Sequence, residues 1–244
     1  MLYGVFSDVH SNFEALERVL DFFESSKVDG YICCGDLVGY GPQPEECLEK
    51  IRALKNLSLI GGNHDMAAIG RMDMAWFNPY ARSAIAWTQG KLSESGKAFL
   101  GTLKAKLQTK DFTVAHGTPR NPLEEYLLSP DQFKDNFSHV RAWPLFVGHS
   151  HRPLCFRMSE RKKGKVEMSV LADQEEVEVA RSALNPGSVG QPRDYDPRAS
   201  CALYDCREGK FKVIRLEYDI AATQAKILKA GLPEFLALRL SYGQ

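Results

Sequence analysis

Asp8-Val9-His10, Gly61-Gly62-Asn63-His64-Asp65, Ala115-His116-Gly117 and Gly148-His149-Ser150-His151 hold five of the six histidines of this 244-residue chain. Gly35-Asp36-Leu37-Val38-Gly39-Tyr40-Gly41 adds one more carboxylate. Carboxylate, imidazole and amide oxygen are the hard and borderline ligands suited to a divalent ion that must activate water, and thiolates are absent from the motifs. His149 and His151 stand one residue apart, and in a tight turn each can reach a different ion. Asp8 and His10 have the same short reach, and one carboxylate is left to bridge.

Each motif follows a short apolar run that reads as a β-strand: Leu2 to Phe6, Tyr31 to Cys34, Leu57 to Ile60, Phe112 to Ala115 and Leu145 to Val147. Ligands of α/β sheets bind beyond the carboxyl ends of the strands, so five loops distant in sequence can meet at one site. Phe13, Leu16, Leu20 and Phe23 then recur at helical spacing, with Ser11 or Asn12 placed to cap. Cys47, Leu48, Ile51 and Leu54 repeat the pattern after Pro42 and Pro44, with Glu45 and Glu46 in a first turn where the helix dipole favours them. The first half is thus a βαβαβ series with parallel strands.

Residues 66–110 lack a strand pattern and carry Trp76, Phe77, Tyr80, Ile85 and Trp87, then a capped segment from Ser93 with Phe99, Leu100 and Leu103. They read as a helical insertion. It begins directly after His64 and so should lie against the site, where Trp76, Tyr80, Arg82 and Trp87 either roof a substrate pocket or simply pack onto the domain. Beyond His151 the rhythm changes. Val166, Met168 and Val170, then Val177 and Val179, then Phe211 and Val213 alternate with polar residues, as antiparallel strands do. Asp219 caps a helix running to about Ala230, and Pro233 fits the first turn of a last one. His139 lies outside every motif on a helix from Pro130 and is assigned to structure, and Ser159 to Lys165 is a charged loop.

The chain reads as a single domain over 1–244, with C-terminal helices over 219–244. At 44% hydrophobic residues it can bury a substantial core, and 31 basic residues balance 31 acidic ones. No global field therefore draws in nucleic acid, and no basic groove with interleaved aromatics is visible, so a nuclease is disfavoured. Cysteines 33, 34, 47, 155, 201 and 206 show neither paired CxxC motifs nor a secreted-scaffold spacing, and they read as reduced, mostly buried thiols. No apolar run approaches the ~20 residues that span a bilayer. The N-terminus lacks a signal-peptide pattern, and the expected location is the cytoplasm.

Taken in order, Asp8-x-His10, Gly35-Asp36, Gly62-Asn63-His64-Asp65, His116-Gly117 and Gly148-His149-Ser150-His151 closely resemble the motifs of the calcineurin-like metallophosphoesterases. The resemblance implies a four-layer αββα sandwich of two mixed β-sheets flanked by helices. It also implies two divalent transition-metal ions (Mn, Fe, Zn, Co or Ni). One would be held by Asp8, His10, Asp36 and His151, the other by Asp36, Asn63, His116 and His149, with Asp36 bridging. Four positive charges against Asp8, Asp36 and a bridging hydroxide leave the site positive and attractive to phosphate. His64, not a ligand in the family, is left to protonate the leaving oxygen. Asp65 either orients His64 or is structural.

Asn185-Pro186-Gly187-Ser188 and Gly39-Tyr40-Gly41-Pro42 are similar to segments of the small bacterial and archaeal phosphodiesterase or diadenosine tetraphosphate hydrolase-like branch. Arg193, Tyr40 and Asn12 are the candidate substrate-binding residues. Arg193 would pair with a phosphate or form an ordinary loop salt bridge, and Tyr40 would stack on a base or be a half-buried ring. The function implied is hydrolysis of a phosphodiester, phosphomonoester or nucleotide pyrophosphate bond, dinucleoside polyphosphates included. The alternatives are a non-catalytic scaffold of the same fold and a protein phosphatase.

Overall fold

The structure, a computed structural model, describes residues 1–159 and 164–244; of the charged stretch expected from Ser159 to Lys165, positions 160–163 lie outside the described residues. In chain order the first elements are β1 (Leu2–Phe6), α1 (Phe13–Ser25), β2 (Gly30–Cys33), α2 (Pro44–Arg52) and β3 (Leu57–Leu59). Asn12 caps α1 by accepting from the Ala15 N–H, and Glu45 and Glu46 do occupy the first turn of α2. The three strands run parallel, as a βαβαβ series requires.

The stretch after His64 holds α3 (Asn63–Ala68), a 3-10 turn at Met74–Trp76, α4 (Pro79–Lys91) and α5 (Glu94–Thr102), the last capped by Ser93. One expectation is corrected here. The segment is not helical throughout: β4 (Lys106–Gln108) pairs antiparallel with β5 (Thr113–Ala115). A three-residue strand with one apolar member, Leu107, is too short to show alternation, and its identity comes from its partner strand and from Leu107 packing on the core between the sheets.

The second half supplies α6 (Pro130–Phe137), β6 (Leu145–Phe146), β7 (Pro153–Met158), β8 (Val166–Val170), β9 (Glu176–Glu178), β10 (Ser182–Pro186), β11 (Ala199–Asp205) and β12 (Lys210–Leu216). It closes with α7 (Ile220–Lys229), α8 (Glu234–Leu238) and a 3-10 turn. Asp219 caps α7, while Pro233 sits one place earlier than expected, at the N-cap of α8.

Two mixed six-stranded sheets result, in the orders β3-β2-β1-β11-β12-β9 and β4-β5-β6-β10-β7-β8. Alternation decides the layers. Val5, Ile32, Cys34, Val114 and Leu184 meet between the sheets, while their neighbours Phe6 and Cys33 turn outward onto α1 and α2, and Ala115 and Ala183 pack with Phe133 of α6. This is the αββα sandwich. Phe146, fully buried between the sheets, meets the rings of Phe112, Tyr204 and Phe211, and replacing it by Ala would cost about 3–5 kcal/mol. The strands are therefore a stiff frame for the loops at their ends. Five of the six cysteines are buried and all six are free thiols. Among the described residues no helix is long and apolar enough to cross a membrane.

Candidate metal centre

Five of the expected ligands adopt left-handed backbone conformations: Asp8 (φ 55°), His10 (49°), Asp36 (55°), His149 (65°) and His151 (58°). Non-glycine residues hold such conformations only where the surroundings over-determine them, and they concentrate at functional sites. The surroundings here do so. Asp8 N–H donates to Gly35 O (2.9 Å), His10 N–H to Asp36 O (3.0 Å) and Gly148 N–H to His116 O (2.8 Å). Ser188 Oγ and Gly190 N–H both donate to Asp8 O, at 2.9 Å each, which ties the Asn-Pro-Gly-Ser turn to the first motif.

The side chains gather into two buried groups that share Asp36, one of Asp8, His10, Asp36 and His151 and the other of Asp36, His116 and His149, with ligand atoms within 4.8 Å of one another. His10 Nε2 lies 3.6 Å and His116 Nε2 3.3 Å from the same Asp36 oxygen, Oδ2, so this atom stands between the groups. Asn63 Oδ1 joins the second group, 3.0 Å from His116 Nε2. Backbone carbonyls set three rings through their other nitrogen: Val38 O for His10 (3.1 Å), Cys34 O for His116 (2.8 Å) and Gln191 O for His151 (2.6 Å). Each such carbonyl fixes Nδ1 as the protonated nitrogen and leaves Nε2 as the ligand atom.

Both the polar inventory and the charges fit cations. Asp8 Oδ2, Asp36 Oδ2 and His149 Nε2 are buried without a hydrogen-bond partner, three orphaned ligand atoms in one place where buried polar atoms are normally paired. Burial holds His10, His149 and His151 well below the usual imidazole range, in the neutral form that ligates metals. Burial lifts Asp8 to about 7 against the pull of His116, a strain that an adjacent cation relieves. Burial likewise pulls His116 down, but the Asp36 carboxylate outweighs it and raises the ring to about 9.

His64 lies beside the groups, not in them. Its N–H donates to Asp36 Oδ1 (2.9 Å), and its ring packs against His10, Tyr40 and Phe77 at centroid separations of 4.7, 4.4 and 5.0 Å. Burial pushes it down to about 4. Asp65 does not orient it: that carboxylate accepts from Leu37, Val38 and Gly62 N–H and so pins the Asp36 loop to the start of α3.

A cleft with about 560 Å³ of empty space opens over the centre, lined by Asp36, Asn63, His64, His149, His151 and the substrate candidates Tyr40 and Arg193. The Arg193 guanidinium stands 5.7 Å over the Tyr40 ring, donates to Gln191 Oε1 (2.8 Å) and leaves Nε without a partner. Asn12 is elsewhere. Its amide is engaged by Ala15 N–H, Thr223 Oγ1, Gly190 O and Tyr218 OH, so the side chain is a buried cap and tie that does not line the cleft. Of the aromatic segment, Trp76 and Phe77 line the cleft. Tyr80 instead stacks on Phe235, Trp87 donates to Ala230 O, and Arg82 is exposed outside the cleft, because that face of α4 belongs to the C-terminal helices. Tyr126, unforeseen in the sequence, lies flat on His149 (3.8 Å, 13°). A single tyrosine in a loop carries no motif.

Two sheets whose loops bring together such a ligand set define a metallophosphoesterase fold, and the profile of the calcineurin-like phosphoesterase superfamily domain matches residues 1–209: the chain belongs to that family. The protein MJ0912 of Methanocaldococcus jannaschii is 38% identical to it over 253 residues, covering 100% of this chain and 98% of its own. The crystal structure of a metallophosphoesterase from Sphaerobacter thermophilus superposes with a TM-score of 0.89 at 41% identity, covering 100% of this chain and 99% of that one. The protein PH1004 of Pyrococcus horikoshii OT3 shares the fold at a TM-score of 0.82 and 23% identity, covering 100% and 98%.

Proposed function

We propose that this chain is a dinuclear metal-dependent hydrolase of a phosphodiester, phosphomonoester or nucleotide pyrophosphate bond, acting on a small phosphate ester or nucleotide. The observation that carries the reading is the shared Asp36: two buried ligand groups meet at Oδ2, which has no hydrogen-bond partner, beneath a cleft that also holds His64 and Arg193. Asp8, His10, Asp36 and His151 would hold one ion, and Asp36, Asn63, His116 and His149 the other. Bound there, two such ions supply Lewis acidity toward phosphoryl oxygens and make water nucleophilic near neutral pH.

The remaining work falls to the chain's own groups. Arg193 has no carboxylate partner among the described residues; its Nη2 donates only to the neutral Gln191 Oε1 and Tyr40 OH, so its charge is available to a phosphoryl oxygen. Burial favours the neutral form of His64. An anionic ester beside it favours the imidazolium, which then gives its proton to the leaving oxygen. Asp36 couples these functions, since one oxygen holds the His64 backbone and the other lies between the ligand groups. Free, buried thiols support a reducing, cytoplasmic setting.

The test is a chelator-stripped preparation of the full chain, reconstituted with Mn, Fe, Zn, Co or Ni and assayed on bis-p-nitrophenyl phosphate, p-nitrophenyl phosphate and diadenosine tetraphosphate. Turnover should require added metal. Metal-independent turnover, or no turnover of any of the three with any of the five ions, refutes the reading.

A further inference from the structure

Trp76 is 66% exposed at the lip of the cleft, on a 3-10 turn whose Asp73 cap holds the backbone. The buried cluster that joins α4 to the C-terminal helices takes in Met72, Met74 and Phe77 around it but not Trp76. Tyr126, 40% exposed, lines the same cleft and is held flat by its stack on His149. Two large rings left in water at one cleft are apolar surface that a planar ligand would cover.

Charge is distributed unevenly around them. Histidines aside, Arg193 is the one cationic side chain among the described residues lining the cleft, and it stands with Tyr40. The Trp76 side carries Glu124 instead. Trp76 and Glu124 also border an adjoining groove whose arginine, Arg120, is already paired with Glu125 and Asp135. A second phosphate extending that way meets a carboxylate and no unpaired arginine.

We propose that the cleft selects a substrate with a single phosphoryl group and a neutral planar ring, a nucleoside monophosphate or its ester, with the ring received by Trp76 and Tyr126 and further phosphates discouraged by Glu124. The position of the phosphoryl group rests on the phosphoesterase reading above; the ring pocket stands on the exposed aromatics.

Calorimetric titration of the manganese-reconstituted full chain with adenosine monophosphate, inorganic phosphate and diadenosine tetraphosphate tests this, with bis-p-nitrophenyl phosphate turnover measured in parallel. Adenosine monophosphate should bind about tenfold more tightly than phosphate, and Trp76→Ala should remove most of that advantage while changing the phosphate Kd less than about twofold. Diadenosine tetraphosphate should bind no more tightly than adenosine monophosphate, and Glu124→Lys should tighten it selectively. Equal weakening of adenosine monophosphate and phosphate in Trp76→Ala, or tenfold tighter binding of the tetraphosphate by the unmodified chain, overturns the proposal. Ring-dependent binding without turnover would count against the phosphoesterase reading alone, and turnover with Trp76-insensitive binding against the ring pocket alone.

Discussion

Gly62→Ala is the sharpest perturbation available at the centre. The Gly62 backbone, at φ −103° and ψ −175°, is one that alanine adopts without strain, so any effect must come from the added methyl group. An ideal Cβ there falls 2.7 Å from both Asp36 Cγ and Asp36 N, with Oδ1 closer still. Reaching ordinary van der Waals separation takes a movement of about 0.7 Å, and the backbone nitrogen on one side leaves the carboxylate as the part that yields. Metal–ligand distances tolerate only about 0.2 Å, and displacements near 1 Å in a reacting constellation cost on the order of 100-fold in rate. The same push breaks the 2.9 Å bond from His64 N–H to Oδ1. Kcat on bis-p-nitrophenyl phosphate should therefore fall about 100-fold, with loss of bound metal by elemental analysis and a folded circular-dichroism spectrum. A Gly62→Ala protein with unchanged metal content and kcat would refute the placing of Asp36 between the two groups.

His64→Ala should retain its metal yet lose turnover about tenfold more severely on a nucleoside ester than on a p-nitrophenyl ester, whose leaving group needs no proton; equal losses measured by kcat would remove the general-acid role. Asp65→Ala orphans three buried N–H donors, and the chelator-stripped protein should lose about 3 kcal/mol or more, read as a Tm lowered by roughly 6–12 °C. Glu125 is held down at about 2, chiefly by its hydrogen bonds from Arg120. Its folded pKa lies below the ordinary carboxylate value, so its contribution is complete above about 4.5 and disappears as the pH falls toward about 2. Glu125→Gln should accordingly lower Tm at pH 7, with the difference shrinking below about pH 4.5 and closing as the pH falls through about 2, as a pH series of melting curves would show.

The residues that gather at the centre were legible in the sequence because each stands just beyond an apolar strand, in a short motif whose glycines and left-handed residues turn the chain sharply. Asp36, His116 and His149 are far apart in the chain yet needed only parallel strands to meet. What was not legible depended on partners that no local pattern announces. The carbonyls of Cys34, Val38 and Gln191 orient three imidazoles, and a backbone oxygen has no sequence signature. Tyr80 and Trp87 were indistinguishable by type from Trp76, and only the docking of α7 and α8 on α4 turned them away from the cleft. Asn12 and Asp65 sit beside the histidine motifs but spend their polar atoms on caps and loop ties, which proximity in sequence cannot reveal. β4 was hidden by its brevity.

Two ions that share Asp36 and act on a phosphate ester should be visible when the chelator-stripped chain is titrated with manganese while bis-p-nitrophenyl phosphate hydrolysis is followed. The rate should rise with added metal and level off at two equivalents per chain. A rate that is already full without metal, or that levels off at one equivalent, would contradict it.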